Sequence, residues 1–282
     1  LLPTSAPDNL TWMPGSEGMH VWYGRPEDHQ LLNNIDTIVV LDLNSLMRLG
    51  DLGQAIADLN GVNIVNIDHH PNPQDFASVQ CIDTAASSTC AMLAEIIEEQ
   101  HMTSEAAMCL YTGIMTDTGS FRFPRTTSSL FRTVARLVDA GADPVESYEQ
   151  TLNVNTPQRM QLLGLALKGM KLFHDGQLCV MTVRKKDFAT ALAQMDDTEG
   201  FVHHTLSIVG VRMGVLLLEA DDAVKCSFRS KGNVYIRDIA ESFGGGGHDY
   251  AAGARVFDTP FSLVYDKVVK GARQVLGEVN AR

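Results

Sequence analysis

Asp68-His69-His70 places a carboxylate and two imidazoles in three consecutive residues. Oxygen and imidazole donors together suit a divalent transition metal, and adjacent side chains of an extended backbone turn to opposite sides, so His69 and His70 are expected to have different jobs. Two more aspartates, Asp42 and Asp117, each follow an apolar stretch. One aspartate in such a place reads equally well as a helix cap. Asp42, His69 and Asp117 as a set point instead to one crevice, because a parallel sheet presents its ligand-binding groups beyond the carboxyl ends of its strands. His203-His204 has no flanking carboxylate and is read as a structural or surface pair.

A second constellation lies far downstream, where Gly244-Gly245-Gly246-Gly247-His248 is followed by Ala251-Ala252-Gly253. Consecutive glycines let a backbone approach a ligand closely and turn N–H groups toward an anion, and His248 can donate to a phosphate. A flexible linker has a similar composition, but the predicted helix before the glycines and the histidine and small residues after them argue against one. Arg122 follows Thr118-Gly119-Ser120-Phe121, and Arg229-Ser230 follows a predicted strand ending at Phe228. A guanidinium clamps phosphate bidentately and stabilises developing negative charge; either arginine alone reads equally well as an ordinary surface residue.

The elements that must position these groups are legible as periodicities. Asp36 to Asp42 (DTIVVLD) and Val62 to Asp68 (VNIVNID) are short β-branched runs, the pattern of strands buried on both faces. Between them Leu46 to Leu59 has helical spacing, closed by Asn60-Gly61. Helices are expected over Ser87 to Gln100, Ser104 to Met115 and Thr126 to Ala140, and a helical connector over Pro144 to Met170. Strands are then expected at Leu178 to Val183, Leu206 to Leu218 and Val224 to Phe228, with a helix at Val234 to Phe243. The fold class is α/β, a parallel-sheet domain followed by a smaller mixed-sheet domain.

The bulk properties exclude some functions. The 282 residues are 45% hydrophobic, enough for one large core or two ordinary ones. With 22 Lys and Arg against 34 Asp and Glu, the net charge of -12 argues against tight binding of long duplex nucleic acid, though not of small phosphorylated ligands. Cys81, Cys90, Cys109, Cys179 and Cys226 are widely spaced, mostly in apolar stretches, and are read as buried free thiols. No apolar run is long enough for a membrane span and no signal peptide is visible, so a reducing cytoplasm is expected.

With these motifs in view, the sequence resembles the DHH–DHHA1 phosphoesterases of the bacterial NrnA (nanoRNase) type, which also act as 3'-phosphoadenosine-5'-phosphate phosphatases. The resemblance runs through VVLDLN with Asp42, NIDHH with Asp68 to His70, GIMTDTGSFRF with Asp117 and Arg122, and NVYIRDIAESFGGGGHDYAAGA with His248. It implies a DHH catalytic domain over 1–150, a helical linker over 151–170 and a DHHA1 substrate-binding domain over 171–282. It assigns Asp42, His69 and Asp117 as metal ligands and Asp68 and His70 as catalytic or supporting groups. Arg122, Arg229, Ser230, Gly245, Gly246, Gly247 and His248 fall to substrate. Two divalent ions are implied, manganese first, with magnesium or cobalt fitting the same donors. The implied substrates are very short single-stranded oligoribonucleotides or small phosphorylated nucleotides, and a homodimer is compatible with the family. Rival readings are a cyclic dinucleotide phosphodiesterase on the same scaffold and a non-catalytic nucleotide-binding module. Family II inorganic pyrophosphatases share the DHH motif, but the GGGGH element argues against them. The family's first motif, a DHxxPDxDA-like segment with one His and two Asp ligands, finds no match; Asp8 and His20 lack its spacing. The expectation is that an N-terminal strand and helix are missing from the sequence, which starts at Leu1, rather than that the protein is a degenerate paralogue.

Overall fold

The computed structural model describes residues 1–33 and 35–280, and the chain divides into two compact units, Leu1–Val154 and Asn155–Arg282. In the first, α1 (Pro26–Gln30) precedes β1 (Thr37–Leu41), α2 (Asp51–Ala57), β2 (Asn63–Asp68) and β3 (Val79–Ile82), and four helices follow: α3 (Thr89–Ile96), α4 (Ser104–Asp117), α5 (Ser128–Asp139) and α6 (Pro144–Thr151). The strands form a parallel sheet in the order β1-β2-β3, with Leu41 level with Ile67 and Ile67 with Cys81. Asp42 and Asp68 therefore emerge side by side at one sheet edge.

On the inner face Ile38 and Ile64 pack with Trp22, Leu32, Leu52 and Ile56. The expectation of strands buried on both faces is corrected on the other side, where Val39, Leu41 and Val79 are exposed. The β-branched run reports strand propensity there, not burial. Helix starts are set by side-chain caps: Ser88, Thr103, Thr127 and Asp143 each accept from a backbone N–H two or three residues on, each worth about 1 kcal/mol. The expected helix from Leu46 to Leu59 is broken into a 3-10 turn, Leu46–Leu49, and α2. Gly50 between them takes φ 57 ψ -131, a conformation outside the helical region. Strand β3 was not foreseen, because four residues after a Pro-rich connection carry little periodicity.

The second unit runs α7 (Pro157–Lys168), β4 (Lys171–Phe173), β5 (Leu178–Val183), α8 (Lys185–Ala191), α9 (His203–Leu206), β6 (Met213–Glu219), β7 (Ala223–Ser230), α10 (Arg237–Ser242), β8 (Gly246–Gly247), β9 (Ala251–Phe257) and α11 (Phe261–Asn280). Its mixed sheet has the order β4-β5-β6-β7-β9-β8, with β5 and β6 parallel and the other pairs antiparallel. Alternation along the central strands feeds two cores. Leu178, Val180, Val215 and Leu217 pack with Val264, Val268 and Leu276 of α11; Met181, Val183, Leu216 and Leu218 pack with Leu162 and Ala166 of α7.

Three expectations change here. The helical stretch over Pro144 to Met170 is two helices interrupted at 152–156; Thr112 of the first unit donates to Ser147 of α6, and α7 belongs to the second core. The strand expected from Leu206 starts only at Met213, because Leu206 closes α9 and the apolar Val209 is almost wholly exposed. The cysteines are free, but only Cys179 and Cys226 are fully buried, and Cys81 is exposed. Among the described residues no helix is long and apolar enough to cross a membrane.

Candidate metal centre

Each donor of the first constellation is delivered by a different element. Asp42 follows β1, with its N–H held by the Ile67 carbonyl of β2, and it sits in the left-handed region at φ 64. A non-glycine residue there costs about 1–2 kcal/mol, a strain that concentrates at functional sites. His69 and His70 follow β2. Asp117 is the last residue of α4, the helix expected over Ser104 to Met115, so it reaches the crevice from a helix end.

The three meet. His69 Nε2 lies 3.5 Å from Asp42 Oδ1 and 3.5 Å from Asp117 Oδ2. His70 Nδ1 is 3.9 Å from Asp42 Oδ1 but only 2.7 Å from Asp68 Oδ1. Asp42, His69 and His70 each offer a ligand atom within 4.8 Å of the others. Hydrogen bonding sorts the two imidazoles. A proton on His69 Nδ1 faces the Ala86 carbonyl at 3.4 Å, which leaves the Nε2 lone pair turned to the carboxylates. His70 donates from Nδ1 to Asp68, whose side chain is fully buried, leaving Nε2 as its uncommitted ring atom. Asp68 thus orients His70 and has no exposure of its own. Among the described residues its Oδ2, and both amide atoms of the buried Asn66 two residues earlier, have no hydrogen-bond partner.

The electrostatics are those of crowded carboxylates. Burial and, next, the charge of Asp42 push the Asp117 carboxyl above its usual range, with the two histidines acting in the opposite sense. Cys90 is pushed up to about 12 by burial and by Asp117 and Asp42, so in the metal-free protein it stays a thiol. One functional side chain was missed by the sequence reading. Thr89, at the start of α3, donates from Oγ1 to Asp42 Oδ1 at 2.8 Å; its only sequence signal was its place in the Ser87-Ser88-Thr89 run that opens the expected helix from Ser87 to Gln100. After Asp117 the backbone takes three successive left-handed residues, Gly119, Ser120 and Phe121, and Phe121 is wedged near Tyr111 and Phe131. Arg122 leaves this turn exposed, its Nε donating to the Gly119 carbonyl at 2.5 Å. His20 is not a further donor: it bonds the buried Asp28 at 2.7 Å.

In the second unit, Arg229, Ser230 and the glycine cluster share the end of β7 and β9, where Arg229 pairs with Ala251 and Gly247 with Ala252. Arg229 is half-buried, and burial lowers its pKa; it donates to the Phe228 carbonyl, and no ion pair to it exists among the described residues. Ser230 is buried and spends its hydroxyl on the Val234 carbonyl at 2.6 Å. The glycines are not a linker. A Cβ at Gly245 would stand 2.0 Å from the Gly253 carbonyl oxygen and one at Gly247 2.6 Å from that of Ala251, so two of the four are needed for close approach to β9. Gly246 has open space around its Cβ position, and His248 is exposed, its N–H bonded to the Ala251 carbonyl.

The chain is similar to known proteins over both units. The DHH family N-terminal domain matches residues 4–114, and the DHHA1 domain matches residues 175–278. The chain is 33% identical over 233 residues to the bifunctional oligoribonuclease and PAP phosphatase NrnA of Bacillus subtilis, covering 78% of this chain and 70% of that protein. The chain belongs to the DHH–DHHA1 family. It is likewise 33% identical over 215 residues to the protein of the same name from Thermus thermophilus, covering 76% of this chain but only 64% of that one's length. The DHH–DHHA1 fold is shared with the crystal structure of an exopolyphosphatase-related protein from Bacteroides fragilis, at TM-score 0.92 and 30% identity over 100% of this chain and 84% of that one.

Proposed function

We propose that this DHH–DHHA1 protein is a metal-dependent phosphoesterase that hydrolyses very short oligoribonucleotides to mononucleotides and 3'-phosphoadenosine-5'-phosphate to AMP. The observation that carries the reading is the convergence of Asp42, His69 and Asp117 from three separate elements, with His69 Nε2 3.5 Å from both carboxylates. Oxygen and imidazole donors fit manganese first, then magnesium or cobalt. Asp42, His69 and Asp117 would hold the metal, and Asp42 is the carboxylate with both histidines near it, at 3.5 Å and 3.9 Å. When bound, the divalent cations supply water activation at neutral pH and charge neutralisation on the phosphoryl oxygens.

The chain's own residues do the rest. Thr89 and the strained backbone fix the Asp42 carboxylate. The Asp68–His70 pair holds one imidazole through its Nδ1 proton, so that Nε2, once it too carries a proton, can donate to a phosphate oxygen or to the leaving oxygen. In the DHHA1 domain Arg229, a half-buried cation with no ion-pair partner among the described residues, and His248 with the Gly245–Gly247 backbone take the substrate phosphate and its terminal nucleotide, and Arg122 is a phosphate contact of the DHH domain. We assign the catalytic domain to 1–150 and the substrate domain to 171–282, and place the enzyme in the cytoplasm, where its substrates arise. Side-by-side turnover of a ribodinucleotide, 3'-phosphoadenosine-5'-phosphate and a cyclic dinucleotide tests the assignment. The first two should be consumed with comparable efficiency and the third slowly; exclusive turnover of the cyclic compound would overturn it.

A further inference from the structure

The segments that carry Arg229-Ser230 and His248 in the DHHA1 domain also carry two tyrosines, Tyr235 and Tyr250. Tyr235 lies in the connection from β7 to α10, and Tyr250 in the turn from β8 to β9. Their rings are 5.7 Å apart at 41°, yet they remain 57% and 43% exposed. Two large rings held together and still open to water need a reason, since aromatic side chains gain most by burial.

The backbone shows that they are presented rather than stranded. Val234 and Ile236, on either side of Tyr235, are completely buried, which clamps the segment and turns Tyr235 outward. The Ser230 N–H donates to the Tyr250 carbonyl at 3.1 Å and the Ile236 N–H to the Asp249 carbonyl at 2.9 Å, so the two segments are stitched to each other. Ser230 donates to the Val234 carbonyl, and Arg237 lies 3.8 Å from Asp249. A side-chain hydrogen bond with Tyr235 raises the pKa of the Tyr250 phenol, which ties the two rings together. The rings belong to the same loop cluster as Arg229, whose register partner Ala251 follows Tyr250.

We propose that Tyr235 and Tyr250 form a stacking platform for a nucleobase of the ligand whose phosphate is taken by Arg229 and His248. The inference rests on the nucleotide-substrate reading above and deepens it: the phosphate groups recognise any phosphoester, whereas the platform selects one bearing an aromatic heterocycle. A base offers its π-face whatever its identity, so the platform accepts all four bases and rejects base-free sugar phosphates.

The test is calorimetric titration of AMP and of ribose 5-phosphate into the full-length protein and into the Tyr235→Ala, Tyr250→Ala and Tyr235→Phe/Tyr250→Phe variants. The wild type should bind AMP about ten-fold or more tightly than ribose 5-phosphate. Each alanine variant should bind AMP nearly as weakly as ribose 5-phosphate while its affinity for ribose 5-phosphate is unchanged, and the double phenylalanine variant should keep the preference. Both side chains are exposed, so thermal melts of the variants should superimpose on the wild type. Equal binding of AMP and ribose 5-phosphate by the wild type, or alanine variants with undiminished AMP affinity, would overturn the platform alone. Binding of neither ligand by the wild type would contradict the nucleotide-substrate reading as well.

Discussion

Replacing Asp117 by Asn should make the metal-free protein more stable and the metal-loaded protein less so. His69 Nε2 lies 3.5 Å from one oxygen of Asp42 and 3.5 Å from one of Asp117, so those oxygens are at most about 7 Å apart. At that separation two unit charges repel by about 2.4 kcal/mol at an effective dielectric near 20 and about 0.6 kcal/mol in bulk water. Both side chains are roughly half open to solvent, which favours the low end, about 1 kcal/mol. The Asp117 carboxyl is raised above its ordinary range by burial and by Asp42, so its ionised form costs stability at neutral pH and that cost vanishes as pH falls through the raised value. D117N should therefore raise the Tm of the metal-free protein by about 2–4 °C at pH 7, and the difference should close on acidification. Manganese at 100 times its Kd stabilises by about 2.7 kcal/mol, and the wild type should gain this while D117N does not. Differential scanning calorimetry with and without manganese reads both effects. A metal-induced shift of equal size in the two proteins would refute Asp117 as a ligand, and a lower metal-free Tm for D117N would refute the repulsion.

Three further outcomes follow from the same geometry. Thr89→Val removes the hydroxyl bonded to Asp42 at nearly constant volume and should weaken manganese binding about ten-fold in isothermal titration, whereas Thr89→Ser restores it. Gly247→Ala drives a Cβ to 2.6 Å from the Ala251 carbonyl oxygen at φ 141 and should cost roughly 1–3 kcal/mol in urea unfolding; Gly246→Ala, with open space, should leave the midpoint unchanged. Asp28 accepts from the Arg25 N–H, His20 and the Tyr23 N–H, which hold its carboxyl below the ordinary range. Its contribution to stability is complete above about pH 4 and is lost as pH falls toward the depressed value. Asp28→Asn should accordingly flatten the acid limb of the stability curve, as followed by denaturant titration at stepped pH, and parallel acid limbs would contradict the role.

How much of this was legible beforehand depended on the physical kind of signal. The apolar runs ending at Asp42 and Asp68 were plain because a strand of β-branched residues stopping at an aspartate is a local pattern, and both strands lie within a residue or two of their expected limits. The helix ending at Asp117 was equally plain, though what brings Asp117 to His69 is tertiary packing of α4 in the core of Leu110, Ile114 and Leu130. Thr89 was invisible as a partner of Asp42 because the bond spans 47 residues. β9 and α11 were not foreseen: the small residues Ala251 to Ala254 read as part of the glycine cluster, when they are the strand that requires Gly245 and Gly247 to lack a side chain. The apolar Val209 misled the strand assignment because periodicity does not register exposure.

The most direct measurement is manganese-dependent release of mononucleotides from RNA of two to five residues by the full-length protein, compared with its His69→Ala variant. The account predicts steady release by the wild type, none after metal removal, recovery when manganese is restored, and none by the variant under any condition. Release that persists after chelation, or that survives in His69→Ala, would contradict a metal centre built on Asp42, His69 and Asp117.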